Sequence, residues 1–375
     1  MTARSRAIRS TRLGDLAGMM LAGAILTTAT LSGCAATPAS GAGSQPDAPA
    51  AEATGTPAEE LRLGYFANVT HAPALVGLEE GLIEDALGDT KLSTQVFNAG
   101  PAAIEALSAG AIDATYIGPN PAINTFVASG GQSARIVAGA ASGGAALVVQ
   151  PGIDDAGDLE GANLATPQLG NTQDVALRTW LADEGYETST TGGGDVTISP
   201  TENAQTLTLF QAGDLDGAWL PEPWVSRLIV DAGAEVLVDE ADLWEDGEFP
   251  TTVLLVRAGF LAEHPETVRA LVAGHAASVA WLDDNADAAA DVINARLTAD
   301  AGKGLSDAVI DRALEHVDFT VDPHADTFEQ LLEDGVDAGT SKTGDIDGLF
   351  DLSALNAVLD ESGEEPVSAA GLGTE

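Results

Sequence analysis

Two stretches of this chain, far apart in sequence, repeat one another. Residues 109–121 read AGAIDATYIGPNP and residues 212–224 read AGDLDGAWLPEPW. With Gly110 set on Gly213, each copy runs Ala-Gly, one variable residue, Ile or Leu, then Asp113 or Asp216. A small pair follows, then an aromatic residue (Tyr116 or Trp219), an aliphatic one (Ile117 or Leu220) and a proline-rich turn. Each copy describes a helix that ends at glycine, which tolerates the left-handed cap. A short apolar strand comes next and stops at prolines, which cannot continue a ladder. A chain that carries this unit twice is expected to build two similar α/β lobes whose turns can face one cleft. Any two helix–glycine–strand units share part of this grammar.

The rest of the chain fits that frame. Residues 61–140 read strand, turn and helix three times, with strands at 61–66, 92–97 and 114–117 and a further strand at 135–140. This is a doubly wound, parallel-type pattern. Ser142-Gly143-Gly144 precedes an apolar strand at 145–150, and two glycines there suit a crossing or hinge. The pattern restarts with strands at 163–166 and 196–199, and a strand at 251–256 could be the second crossing. From His264 helix follows helix, at 265–284, 286–297, 306–317 and 327–337, with Pro265 marking the first start.

The N-terminus carries an address. Arg4, Arg6, Arg9 and Arg12 precede an apolar run at 16–31, and then come Leu31-Ser32-Gly33 and Cys34, the chain's only cysteine. A basic start, a short apolar core and small residues before a cut site describe a secretory signal. The placement of Cys34 resembles the lipobox of bacterial lipoproteins, whose cysteine is lipidated and becomes the new N-terminus. A plain signal peptide or an uncleaved anchor would share the earlier features, but the run is short for a span of roughly 20 residues. Residues 35–60 hold Pro38, Pro46, Pro49 and Pro57 among Ala, Gly, Ser and Thr, a composition that reads as a disordered linker. As a coil it would reach roughly 25–30 Å. The tail at 361–375 reads as disordered for the same reason.

Charge and cysteine usage exclude whole classes of function. The chain has 15 basic and 58 acidic residues; without the four arginines and Asp15 of residues 1–33 it has 11 and 57, a net −46. A nucleic-acid partner held by basic patches is excluded. One cysteine forms no internal disulfide. No GxSxG, HExxH, CxxC, P-loop or strand-linked GxGxxG occurs, so no catalytic residue, cofactor or metal site is expected. Asp345-Ile346-Asp347-Gly348 lacks the closing Glu of a calcium loop.

What remains is a set of strand-to-helix turns rich in small polar residues. In a parallel α/β sheet such turns fall at the carboxyl ends of strands, where ligands bind. Helices starting there offer unpaired N–H groups and a positive dipole end, which suits a small anion without Lys or Arg. The candidate ligand residues in the first half are Asn68, Thr70, His71, Gly100 and Asn120, with Ser142 at the crossing. In the second half they are Gln168, Asn171, Thr172, Gln173 and Asn203. The second copy of the repeat adds Trp219, Glu222 and Trp224, although strand alternation could point Trp219 into the core. Each turn taken alone is also ordinary turn chemistry. Asn120 and residues 222–224 are expected to face each other across the cleft. An enzyme using the same cleft would have Glu222 and His71 as its acid–base pair.

Taken together, these residues resemble one family. The stretch at 31–34, LRLGYF at 61–66, NAGPAAIEALSAGAIDATYIGPNP at 98–121, PQLGNTQDVALRTWL at 167–181 and DGAWLPEPW at 216–224 are similar to the substrate-binding lipoproteins of ABC importers for aliphatic sulfonates, taurine and nitrate. These have a type II periplasmic-binding fold related to the thiamine-precursor binding proteins. The resemblance covers residues 61–340. It implies an α/β fold of two lobes joined by two crossing strands, closing on a ligand between them. The lobes would be 61–143, completed by the helical stretch 257–360, and 144–256. It also implies a monomer outside the cytoplasm, anchored through Cys34, that delivers its solute to a permease and ATPase. An aliphatic sulfonate or taurine, nitrate, or a thiamine-pyrimidine precursor would fit. The acidic body repels an anion at long range, so capture would rest on local donors.

Overall fold

The computed structural model of the chain describes residues 55–375. The signal segment, Cys34 and most of the linker lie outside the described residues. The linker's end is laid against the body rather than loose: Ala58 is buried and its N–H donates to Thr267 Oγ1 at 2.8 Å.

The chain opens with β1 (Glu60–Phe66), α1 (Ala72–Glu79), α2 (Leu82–Leu87), β2 (Lys91–Phe97), α3 (Gly100–Ser108), β3 (Ala114–Ile117), α4 (Pro119–Ala128) and β4 (Ala134–Gly143). Next come β5 (Ala145–Val149), β6 (Asn163–Thr166), α5 (Thr172–Asp183), β7 (Thr197–Pro200), α6 (Asn203–Ala212), β8 (Gly217–Pro221), α7 (Trp224–Ala232) and β9 (Glu235–Asp239). The last part runs β10 (Pro250–Arg257), α8 (Ala258–Glu263), α9 (Pro265–Asp284), α10 (Ala286–Ala301), α11 (Asp307–Leu314), β11 (Val317–Asp318), α12 (Phe328–Asp337), β12 (Phe350–Asp351), α13 (Ser353–Ser362) and β13 (Gly373–Thr374).

Two sheets result. The first has the order β13-β12-β4-β10-β3-β1-β2, with β11 beside β4, and the second β7-β6-β8-β5-β9. Five strands of the first, β2-β1-β3-β10-β4, match the second in order and direction. β1 is parallel to β2 and β3 as β6 is to β7 and β8. β10 is antiparallel to β3 and β4 as β5 is to β8 and β9. The repeated sequence unit supplies the central joint of each lobe. Gly213 closes α6 with φ +76°, and Gly110 follows α3 with φ +68°. Asp113 Oδ2 accepts the N–H of Arg62 at 3.1 Å, and Asp216 Oδ2 accepts that of Asn163 at 2.8 Å. Each carboxylate thus ties the entry of the inner strand to its parallel neighbour. β3 and β8 are buried along their whole length, as strands under helices on both faces must be.

β4 lies in the first sheet and β5 in the second, and the chain passes between them at Gly143-Gly144. Gly143 and Gly144 both take positive φ, +74° and +72°. A Cβ on Gly144 would sit 2.4 Å from Val317 Cγ2. The second crossing differs. β10 pairs with β3 and β4, so it belongs wholly to the first sheet, and the second lobe ends before Pro250 rather than at 256. The tail is also corrected. β13 pairs with β12, and Val367, Ala369 and Leu372 are buried in the first-lobe core, so residues 361–375 are structured. Among the described residues no helix is long and apolar enough to cross a membrane.

Candidate functional site

The carboxyl ends of the inner strands converge between the lobes and enclose a cavity of about 20 Å³. From the first lobe it is lined by Phe66, Asn68, Thr70 and His71 after β1, Asn98 after β2, Gly118 after β3, and Thr251 at the start of β10. The second lobe gives Pro167, Asn171, Thr172 and Gln173 after β6, Asn203 after β7, and Pro221 at the end of β8.

None of these side chains is an acid, a lysine or an arginine, and the one titratable group is held neutral. Burial pushes His71 down to about 3. Its Nδ1 accepts the Phe66 N–H at 3.3 Å, which assigns the ring proton to Nε2, and the ring stacks on Phe66 with centroids 4.4 Å apart. The polarity comes instead from helix starts. α1, α3, α4, α5 and α6 all begin at or beside lining residues, and none has a side-chain cap. The Gly100 N–H of α3 is taken by Asn171 Oδ1 and the Ala72 N–H of α1 by Val69 O, and α4 opens on Pro119, which has no N–H, so what these helices bring to the cavity is chiefly their positive dipole ends.

Two atoms in the cavity wall need a guest. Among the described residues, Thr172 Oγ1 and Asn203 Oδ1 are buried with no hydrogen-bond partner. A buried group in that condition costs about 1–3 kcal/mol, which argues for a polar occupant. A hydroxyl rotor or a turned amide can present a donor to it. Gly118 makes room for one of them, because a Cβ there would lie 2.5 Å from Thr172 Oγ1. The long turn at 167–173 is held from below by a buried network. Asp174 accepts Thr166 Oγ1 at 2.8 Å, the Gly170 N–H at 2.9 Å and Arg178 Nε at 3.0 Å. Two bonds cross between the lobes beside the cavity. Trp224 Nε1 donates to Asn68 Oδ1 at 2.9 Å, and the Gly100 N–H donates to Asn171 Oδ1 at 3.3 Å. Asn171 Nδ2 donates to Gln173 Oε1 at 3.2 Å, which leaves the Gln173 amide nitrogen as a donor.

A family model described as the NMT1-like family matches residues 54–297, well over half of the chain. The chain belongs to the NMT1-like family. A Bacillus subtilis (strain 168) protein named for binding aliphatic sulfonates is 26% identical over 314 residues, 80% of this chain and 84% of that protein. A Brucella abortus (strain 2308) protein named only as a binding protein is 26% identical over 216 residues; the match spans 57% of this chain and 64% of that protein's length. Among solved structures, the alkanesulfonate-binding protein SsuA from Xanthomonas axonopodis pv. citri bound to MOPS superposes with a TM-score of 0.64 at 21% identity, covering 77% of this chain and 96% of that one. At that identity the likeness is one of fold: the two-lobed α/β periplasmic-binding-protein fold.

In this NMT1-like chain the residues singled out from sequence divide into two groups. Asn68, Thr70, His71, Asn171, Thr172, Gln173 and Asn203 line one cavity. Gly100 stands just behind, where any Cβ would meet Pro121 at 2.4 Å. The others point elsewhere. Asn120 donates from Nδ2 to Leu331 O at 3.0 Å. Ser142 Oγ donates to Phe249 O at 2.9 Å. Gln168 is half-buried outside the lining. Trp219 is core, its Nε1 on Glu240 Oε2 at 2.7 Å. Glu222 accepts Ser226 Oγ at 2.9 Å and Arg312 Nη1 at 3.0 Å. Asn120 and Glu222 therefore do not face each other across the cleft, and Glu222 does not share a cavity with His71. Each is claimed by a partner distant in sequence. Phe66, Asn98, Gly118, Pro167, Pro221 and Thr251 line the cavity as well. Asn98, Gly118 and Pro167 lie in the flagged turns beside the residues chosen. Pro221 opens the proline-rich turn of the repeat, which the resemblance sets against the ligand, whereas Phe66 and Thr251 carry the strand-end position as their only signal.

Proposed function

We propose that this chain is an extracytoplasmic solute receptor that captures a small organic oxyanion, an aliphatic sulfonate, and hands it to an ABC permease and its ATPase. The observation that carries this is the cavity without acid, lysine or arginine, where Thr172 and Asn203 atoms left unpaired among the described residues meet the positive ends of five helices. Such a site suits a compact group with several acceptor oxygens, and it selects by hydrogen-bond geometry rather than net charge. A buried neutral His71 adds a donor without a titrating charge. The names of the relatives and the fold support the sulfonate class. On the same reading Cys34 bears a lipid, residues 35–54 tether the body to the outer face of the cell membrane, and the protein works as a monomer without a cofactor.

The test is a melting-temperature and calorimetry panel with methanesulfonate, butane-1-sulfonate, taurine, nitrate and an aminopyrimidine. A sulfonate at a hundred times its Kd stabilises the fold by about 2.7 kcal/mol. Response to nitrate or the pyrimidine alone would remove the sulfonate assignment. Conversion of a bound sulfonate over hours would make the chain an enzyme.

A further inference from the structure

Beside the cavity lies a second one of about 180 Å³, and Asn68, Asn98 and Asn203 line both. Its remaining walls are of a different kind. Phe97, Trp224, Leu297 and Leu305 make it largely apolar, while Arg227 and Lys303 bring positive charge and Glu202 one negative charge. Basic residues are scarce in this chain, 15 against 58 acidic ones, so two beside one cavity are notable. The Arg227 guanidinium lies 4.6 Å over the Trp224 ring, with Asp231 Oδ2 at 3.6 Å from its Nε. Among the described residues Lys303 has no carboxylate within 4.0 Å. The loop that carries it is firmly built. Asn294 donates to Leu305 O at 2.9 Å and accepts the Leu305 N–H at 2.7 Å, and a Cβ on Gly304 would sit 2.6 Å from Thr298 Oγ1.

We propose that this second cavity takes the tail of the same ligand and selects an apolar tail ending in an acidic group, an ω-carboxyalkanesulfonate. The inference rests on the sulfonate reading above and adds the other end of the molecule. At about 180 Å³ against about 20 Å³ for the polar cavity, the space leaves room for a tail longer than the two carbons of a two-carbon sulfonate. Phe97, Leu297, Leu305 and the Trp224 ring cover methylene groups. Lys303 and Arg227 meet a terminal carboxylate and repel a terminal ammonium.

Isothermal titration of the full chain with methanesulfonate, butane-1-sulfonate, 4-aminobutane-1-sulfonate and 4-carboxybutane-1-sulfonate tests this. The carboxylate-ended ligand is expected to bind about tenfold or more tighter than the amine-ended one. Lys303→Glu is expected to erase or invert that ratio, with the melting temperature of the unliganded variant reporting its fold. An amine-ended ligand that binds as well as the carboxylate in the wild type overturns the inference, as does a ratio that Lys303→Glu leaves in place. Methanesulfonate separates the two levels. If it binds while the tail ends are not distinguished, only the tail assignment falls. If no sulfonate binds, the proposed function falls and the tail assignment falls with it.

Discussion

Asp113 and Asp216 occupy the same place in the two copies of the repeat, yet their surroundings differ. Both tie an inner strand to its parallel neighbour, and both offer a carbonyl to the next strand: Asp113 O accepts the Arg257 N–H at 2.9 Å and Asp216 O that of Gln150 at 2.8 Å. Among the described residues only the first has charged partners. Arg62 Nη2 lies 2.6 Å and Arg257 Nη2 3.1 Å from Asp113 Oδ1. Burial pushes the Asp113 carboxyl up, but hydrogen bonds from the two arginines outweigh it and hold the group below its ordinary range. In the second lobe the equivalent strand, β5, precedes the joint by a modest stretch of chain. In the first lobe it is β10, which returns only after the whole second lobe. The ion cluster thus sits where closure is least local and costs the most chain entropy.

The largest test of this contrast is Asp113→Asn, which leaves two arginines without their carboxylate. A loss of about 3 kcal/mol in urea unfolding is expected, against about 1 kcal/mol for Asp216→Asn, which weakens one hydrogen bond. Equal losses would mean the two joints are equivalent. Next is the pair of turns that follow. Glu222→Ala removes a buried carboxylate that holds Ser226 and Arg312 and should cost about 2 kcal/mol, whereas Asn120→Ala should cost about 1. An affinity loss at Glu222→Ala with no stability loss would return that residue to the ligand site. A smaller effect is expected at Trp224→Phe. It keeps an aromatic ring in the wall of the second cavity, though a smaller one, and removes the bond to Asn68, and sulfonate affinity should fall about three- to tenfold. Unchanged affinity would show that this bond does not support closure.

The smallest effect concerns the aromatic residues of the repeat, whose partners titrate in opposite senses. Tyr116 Oη lies 3.0 Å from Nδ1 of buried His275, which burial pushes down to about 4. Trp219 donates to Glu240, which burial pushes up to about 7, with Asp239 and Asp334 adding to the rise against the bond from Trp219. The lowered histidine costs stability as pH falls from its unfolded value near 6.5 toward 4. The raised carboxyl contributes fully below about 4.5, and that contribution is lost as pH rises to 7. Glu240→Gln should therefore gain on the wild type between those two values and hold a constant difference above 7. Parallel stability curves for the two proteins would show that Glu240 does not titrate in this window.

Much of this was legible because it is written in local grammar. The Gly-strand-Pro unit, the start of α9 at Pro265 and the glycine pair at 143–144 each depend on backbone rules that a few residues decide. The tail was not legible. Its glycines and acids resemble a disordered segment, and it is tied to the core by the buried Val367, Ala369 and Leu372 and by the pairing of β13 with β12, which local composition does not announce. For the site, the turns were visible but the aim of their side chains was not. Asn120 is claimed by Leu331, 211 residues away, and Glu222 by Arg312, 90 residues away. No spacing rule reaches that far. Thr251 escaped notice because a β-branched residue at a strand start looks like core, while its hydroxyl in fact donates to Gly143 O.

That last bond belongs to a set with a mechanical meaning. Ser142 Oγ donates to Phe249 O and accepts the Phe249 N–H at 3.3 Å, the Gly143 N–H donates to Phe249 O at 3.2 Å, and Thr251 reaches Gly143. The two chain crossings are thus stitched side by side. Two unlinked strands would let one lobe twist and slide as well as open. A stitched pair leaves one soft rotation, like a door on a single pin. On the receptor function proposed above, the length of whatever lies in the cleft is then converted into one angle, which a permease touching both lobes would read as a single coordinate.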